Sequence, residues 1–364
     1  MINKIKFNNK NQAIFVRDLR KRVNSYFKEN NISKNANVQM VIKTILMFLI
    51  YLIPYFLIYS ALVTDIYGLI LATIMGIGMS GIGMSVMHDA NHGAYSSNPK
   101  VNKWMSICIY LIGGDVYNWK VQHNILHHTY TNIEGLDGDI EQDPFLRLSH
   151  SQKWHKGHQY QHIYGFFLYT LGTISWAFVD FIQFKRFTDL GLSPDGILDK
   201  KKQLKRLIFY KIIYWLFIFI FPMIFSSFSW WQILLGWLIM NMVAGFILTV
   251  TFQLAHVVEG VDFPAPNQQG NIENEWMIHQ LNTTSNFAND SKLVNWFIGG
   301  LNFQIEHHLF PNICHVHYKQ ISSIVKATAN EYGILYNEKR TYMEAVMSHY
   351  KMLKIFGLKP ITIT

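Results

Sequence analysis

The sequence predicts an all-α integral membrane protein, with four transmembrane helices and a polar helical cap on one side. Three observations predict it. Four runs of about 20 residues carry at most one charge each, the length that crosses a hydrocarbon layer. Mean hydropathy is only +0.11 although half of the residues are apolar, so a sizeable polar body accompanies the spans. Lys and Arg are absent from the turns near 64–66 and 226–230 and abundant elsewhere, which is the asymmetry of a chain with one cytoplasmic side.

Residues 1–43 form a basic arm, with Arg17, Arg20, Lys21 and Arg22 against few acids, read as a surface helix on the membrane with a disordered part. No secretory signal opens the chain. Residues 44–63 are the first span, and Pro54 is expected to kink it. Residues 67–87 are the second. Its Gly76-x-Gly78-x-x-Gly81 matches a dinucleotide-binding fingerprint by letter, but no strand precedes it. Small residues there suit close helix packing instead.

Residues 104–114 are apolar but too short to cross. Residues 163–184 tempt as a span, yet Asp180 lies in that run and a charge in lipid is costly. Parity argues the same way: with spans at 207–225 and 231–254, a further crossing would separate the histidine clusters described next. The run is therefore expected to be re-entrant or interfacial. Both termini and the cap, 88–206 and 256–364, fall on the cytoplasmic side. No repeat or linker divides residues 1–364, read as a single domain. Cys108 and Cys314 give no disulfide framework. The net charge of +9 suits anionic headgroups or an acidic partner, and its placement beside apolar runs argues against nucleic acid.

Three histidine clusters carry the chemistry: His88-Asp89-Ala90-Asn91-His92, His123-Asn124-Ile125-Leu126-His127-His128 and Gln304-Ile305-Glu306-His307-His308. Residues four apart share a helix face, so His88 with His92, and His123 with His127, can point at one centre. His128 is set to reach a neighbouring centre. Gln304 and His307, three apart, also share a face. Neutral imidazole is the commonest metal ligand, and seven are too many for one tetrahedral zinc. They suit two metals with open positions, and imidazole alone leaves zinc, copper, iron and nickel open.

HDANH, HNILHH and QIEHH, in the contexts HDANHGAYS, HHTYTNIEGLDGDIE and LNFQIEHHLFP, resemble the three histidine boxes of the membrane fatty-acid desaturases. The glutamine that opens the third box resembles the front-end subgroup. The likeness runs from about residue 40 to about 320. It implies two non-haem irons, O2 as co-substrate and two electrons from outside, with removal of one hydrogen and then a second from adjacent carbons of a long acyl chain to leave a cis double bond and water. It implies His88, His92, His123, His127, His128, His307 and His308 as ligands and His256, just after the fourth span, as an eighth. Gln304, the candidate catalytic residue, is expected to ligate weakly, to act through water or to shape the pocket. Some relatives carry Asn four residues before the post-span histidine, where this chain has Phe252.

Asp89, Asn91, Asn124, Asp137, Asp139 and Glu306 are candidates to orient the rings. Apart from His256, the histidines outside the boxes are assigned no ligand role. HPGG, the mark of a fused haem domain, is missing, so the expected donor is a separate ferredoxin, flavodoxin or cytochrome. The expected substrate is a fatty acyl group on CoA or lipid, and the expected location an integral, multi-pass membrane, the inner membrane if bacterial. The rival readings are a membrane hydroxylase or ketolase, a sphingolipid desaturase, and a non-catalytic metal-binding membrane protein.

Overall fold

The computed structural model describes residues 5–7, 12–60 and 63–360. The helices used below are α1 (Ala13–Glu29), α2 (Val38–Leu57), α3 (Asp65–Asn91), α4 (Gln161–Tyr169), α5 (Gly172–Asp189), α6 (Lys200–Phe225), α7 (Trp230–His256), α8 (Trp276–Thr283), α9 (Gln304–Leu309), α10 (Tyr318–Glu331) and α11 (Tyr342–Gly357). Four of them, α2, α3, α6 and α7, are long and apolar enough to cross a membrane. The apolar run 163–184 is broken at Thr170–Leu171 into α4 and α5, so no single span-length helix forms there; α4 and α5 would add a crossing only as a broken span.

The chain divides into two compact units. One contains 36–121 and 167–250 and holds α2, α3, α5, α6 and most of α7. Its first span sits earlier than the apolar run suggested. Asn37 caps α2 by accepting from Met40 N–H, and the helix ends three residues after Pro54, whereas 44–63 had been expected. Capping outweighs composition here; Ala61 and Leu62, near that expected end, lie outside the described residues. Lys43 is consequently buried within α2 and is not part of a solvated arm. The glycines of α3 set helix spacing: a Cβ at Gly78 would lie 2.6 Å from Tyr51 N on α2, and one at Gly76 2.6 Å from Met240 O on α7. Backbones this close admit only Gly.

In the same unit Asp180 is paired, which removes its cost in an apolar run. Lys211 Nζ lies 2.6 Å from Asp180 Oδ2 and donates to Gly113 O (2.5 Å) and Trp176 O (2.6 Å). Asn118 Nδ2 donates to Asp180 O (2.7 Å) and Oδ1 (3.1 Å), and Asp115 caps the turn that carries Asn118. This buried network ties α5 and α6 to the segment that leads into the second histidine box.

The other unit contains residues 1–35, 122–166 and 251–364. Here α1 departs from the expected membrane-surface helix. Its Phe15, Val16, Leu19, Val23 and Phe27 form one apolar stripe, and the stripe is buried against Leu281, Phe303, Ile321 and Val325 of the protein itself. Burying a side chain of this size contributes roughly 1.5–3 kcal/mol, so α1 is part of a core. Two parallel pairs of two-residue strands, Lys6–Phe7 with Asn271–Ile272 and Asn286–Phe287 with Glu338–Lys339, complete the unit.

Candidate metal centre

Both stretches that carry the first two boxes are wound wider than an α-helix. Ile82–Met87, immediately before His88, and Lys120–His127 are π-helical. A π turn bonds residues five apart and recurs at functional sites. It brings His123 and His128, five apart, to a Nε2–Nε2 distance of 3.2 Å. From the far side of the sequence α9 adds His307, whose Nε2 is 2.9 Å from that of His128. The Nε2 atoms of His123 and His307 thus both close on that of His128.

Beside them stands a second group. The rings of His127, His256 and His308 form a near-equilateral triangle, with centroids 4.7, 4.9 and 4.8 Å apart, and their ligand nitrogens all lie within 4.8 Å of one another. The two groups adjoin, since His128 stacks on His308 at 4.3 Å. All six histidines are buried. Within the span-rich unit, His88 and His92 face each other with centroids 4.8 Å apart, and Trp119 stands edge-on to both at 5.6 Å.

The outer nitrogens show which face of each ring is offered. His127 Nδ1 lies 3.1 Å from both oxygens of Asp137 and 3.3 Å from Asp139. His256 Nδ1 donates to Thr283 O at 3.3 Å, and His308 Nδ1 lies 2.8 Å from Gln280 Oε1. His307 Nδ1 lies 3.2 Å from the Tyr318 hydroxyl. With Nδ1 engaged, Nε2 presents its lone pair. The Nε2 atoms of His127 and His256 are buried and have no hydrogen-bond partner among the described residues, which suits a cation between them. Burial works against a charged ring, but Asp137 and Asp139 outweigh it and raise the His127 pKa to about 9. The same field favours positive charge at Nε2. Burial, with Asp137 alongside, pushes the Asp139 carboxyl up to about 6.

Of the expected orienting groups, Asp137 and Asp139 face His127. Asp89 lies 3.9 Å from His88 Nδ1, beyond hydrogen-bond reach, and Asn91 Nδ2 points to Met87 Sδ. Glu306 turns away from the rings: it accepts from Asn286 Nδ2 (2.7 Å) and the Tyr336 hydroxyl (2.9 Å), and so anchors α9. Gln304 opens α9 fully buried, with neither amide atom hydrogen-bonded among the described residues. Gln280, Thr283 and Tyr318 were not foreseen. They lie outside the boxes, and nothing in their local sequence separates them from ordinary helix residues.

The sequence model of the fatty acid desaturase family matches residues 64–340. The chain is 34% identical over 97% of its length to an sn-1 linoleoyl-lipid 6-desaturase of Synechocystis sp., of which it covers 98%. The chain belongs to the fatty acid desaturase family. A second sn-1 linoleoyl-lipid 6-desaturase, from Arthrospira platensis, is also 34% identical, with 96% of this chain and 94% of the relative covered. An acyl-lipid (8-3)-desaturase of Physcomitrium patens is 33% identical over 93% of the chain and 71% of its own length. These relatives and the opening glutamine of QIEHH make the protein a desaturase of the front-end type.

Proposed function

We propose that this desaturase acts on a linoleoyl-type acyl group carried by a membrane lipid and inserts a cis double bond at carbon 6. Two relatives that match it over nearly their whole length are lipid 6-desaturases, whereas the (8-3)-desaturases of Physcomitrium patens and Mortierella alpina are longer chains. We propose His88, His92, His123, His127, His128, His256, His307 and His308 as the ligands of two non-haem irons. The observation that carries this reading is the convergence of the ligand nitrogens of His127, His256 and His308, each ring with its Nδ1 engaged. Iron so bound would supply the activation of O2 that removal of hydrogen from an unactivated carbon requires.

The protein's own part is orientation, charge and dryness. Asp137 fixes the His127 ring and offsets positive charge at its Nε2. The Thr283 carbonyl does the same orienting for His256. Burial of these histidines keeps bulk water from the centre. Electrons come from a separate ferredoxin, flavodoxin or cytochrome, for which the net charge of +9 favours an acidic partner. The family match runs through both compact units, which supports residues 1–364 acting as one domain. The lysine- and arginine-free turns support both termini and all boxes on the cytoplasmic side.

Expression in a host that lacks 6-desaturation, fed linoleate, tests the proposal. A new double bond at carbon 6 in lipid-bound acyl chains is expected, with about two irons per purified chain, the number the resemblance implies. A product desaturated at carbon 5 would overturn the positional assignment. Purified, active protein without iron would overturn the metal assignment.

A further inference from the structure

One face of α8 is aimed at the histidine cluster. Trp276, Gln280 and Thr283 are spaced by four and three residues and so share that face. Trp276 Nε1 donates to His128 O at 3.1 Å, and Thr283 O accepts from His256 Nδ1 at 3.3 Å. Between them, fully buried, Gln280 places Oε1 2.8 Å from His308 Nδ1 and 2.8 Å from Thr131 Oγ1. Thr131 Oγ1 is itself 2.7 Å from His127 O. Gln280 Nε2 has no hydrogen-bond partner among the described residues.

The way Gln280 faces decides what His308 offers. With Oε1 toward the ring, Nδ1 must carry the proton and Nε2 is left as a bare lone pair. With the amide turned over, Nε2 of Gln280 would donate to Nδ1, the ring proton would sit on the other nitrogen, and the inward face would be closed to a cation. Thr131 Oγ1 is a second acceptor for the Nδ1 proton, but at 3.4 Å it makes a much longer contact than the 2.8 Å of Gln280 Oε1.

We infer that Gln280 is a positioning residue of the metal centre: through its amide oxygen it holds His308 in the tautomer that presents Nε2 inward. This rests on the reading of His308 as a metal ligand and extends it to a residue outside every histidine box. Groups of this kind typically carry 10- to 100-fold in metal affinity.

Two substitutions separate orientation from packing. Glutamate at 280 has only acceptor oxygens when ionised and keeps the ring proton on Nδ1; methionine matches the side chain in length and removes the acceptor. Full-length protein in detergent is loaded with ferrous iron and challenged with graded chelator, and circular dichroism reports the fold. Gln280→Met is expected to lower apparent iron affinity about 10- to 100-fold, and Gln280→Glu to hold iron at or above the parent's level. If the position only fills space, the order reverses: methionine retains iron like the parent, and glutamate, a buried carboxylate, loses it. That order overturns the inference. Should Gln280→Met not fold, Gln280→Glu decides alone: parent-level retention supports orientation, and loss from a folded protein overturns it. His308→Ala separates the underlying reading. If it holds iron as the parent does, His308 is not a ligand, and both statements fall.

Discussion

Asp137 presents both carboxylate oxygens to His127 Nδ1 at 3.1 Å, and the same two oxygens accept backbone N–H bonds from Asn132 (2.9 Å) and Asp139 (3.0 Å). Every contact on this buried carboxylate is a donor. Asp137→Asn would set an amide N–H against one of them. The expected result is a 10- to 100-fold loss of iron affinity, read by chelator titration of the folded protein. Parent-level retention would mean that Asp137 only shapes its loop.

Gln304 is fully buried without a hydrogen bond among the described residues, an arrangement that costs on the order of 1–3 kcal/mol. Gln304→Met should therefore leave thermal stability unchanged or raised, keep most of the iron, and still abolish most desaturation. A variant that desaturates at the parent rate with the same products would reduce Gln304 to packing.

Lys211 and Asp180 form a buried pair. Removing one partner of such a pair costs about 3–5 kcal/mol, whereas replacing both with apolar residues costs far less. Lys211→Met and Asp180→Leu should each lower the unfolding temperature strongly, and the double variant should recover part of the loss. Additive losses in this cycle would show that the two charges do not interact.

His349 is buried with Nδ1 2.8 Å from Val257 O, and burial pushes its pKa down to about 4. The unfolded chain takes up this proton near pH 6.5. The sign follows: the stabilising contribution is complete above about pH 6.5 and is lost as pH falls toward 4, to a limit of about 3 kcal/mol. His349→Gln can keep the donor but does not titrate. Its unfolding temperature should fall less steeply than the parent's between pH 7 and 5; parallel curves would remove His349 from the acid response.

Orientation is open to direct labelling. Cysteines introduced at Ser97, Ser151 and Lys292 should react from the cytoplasmic side and one at Ser227 from the opposite side. Labelling of Ser97 and Lys292 from opposite faces would break the proposed topology.

The four long apolar helices and the clustering of the box histidines were legible because hydrophobic run length and clustered imidazoles are local signals. What was not legible depended on distant partners. The stripe on α1, from Phe15 to Phe27, reads the same whether a membrane or Ile321 and Val325 cover it. Asp180 looked prohibitive in an apolar run only because Lys211, its partner, lies on another helix. Glu306, beside two histidines in sequence, bonds Asn286 and Tyr336. Gln280 carries no mark at all, since one buried amide on a short helix has the same letters whatever it faces.

The wide winding at Lys120–His127 has a consequence for anyone who would move this chemistry to another scaffold. Written on an ordinary helix, HNILHH would stack His123 over His127 and swing His128 aside. Here the spare residue in the turn sets His123 against His128 as well, while His123 still stacks on His127 at 5.3 Å. The motif therefore transfers only with its coil intact, and deleting one residue upstream, which would let the turn relax to α, should disable the centre while every histidine stays in place.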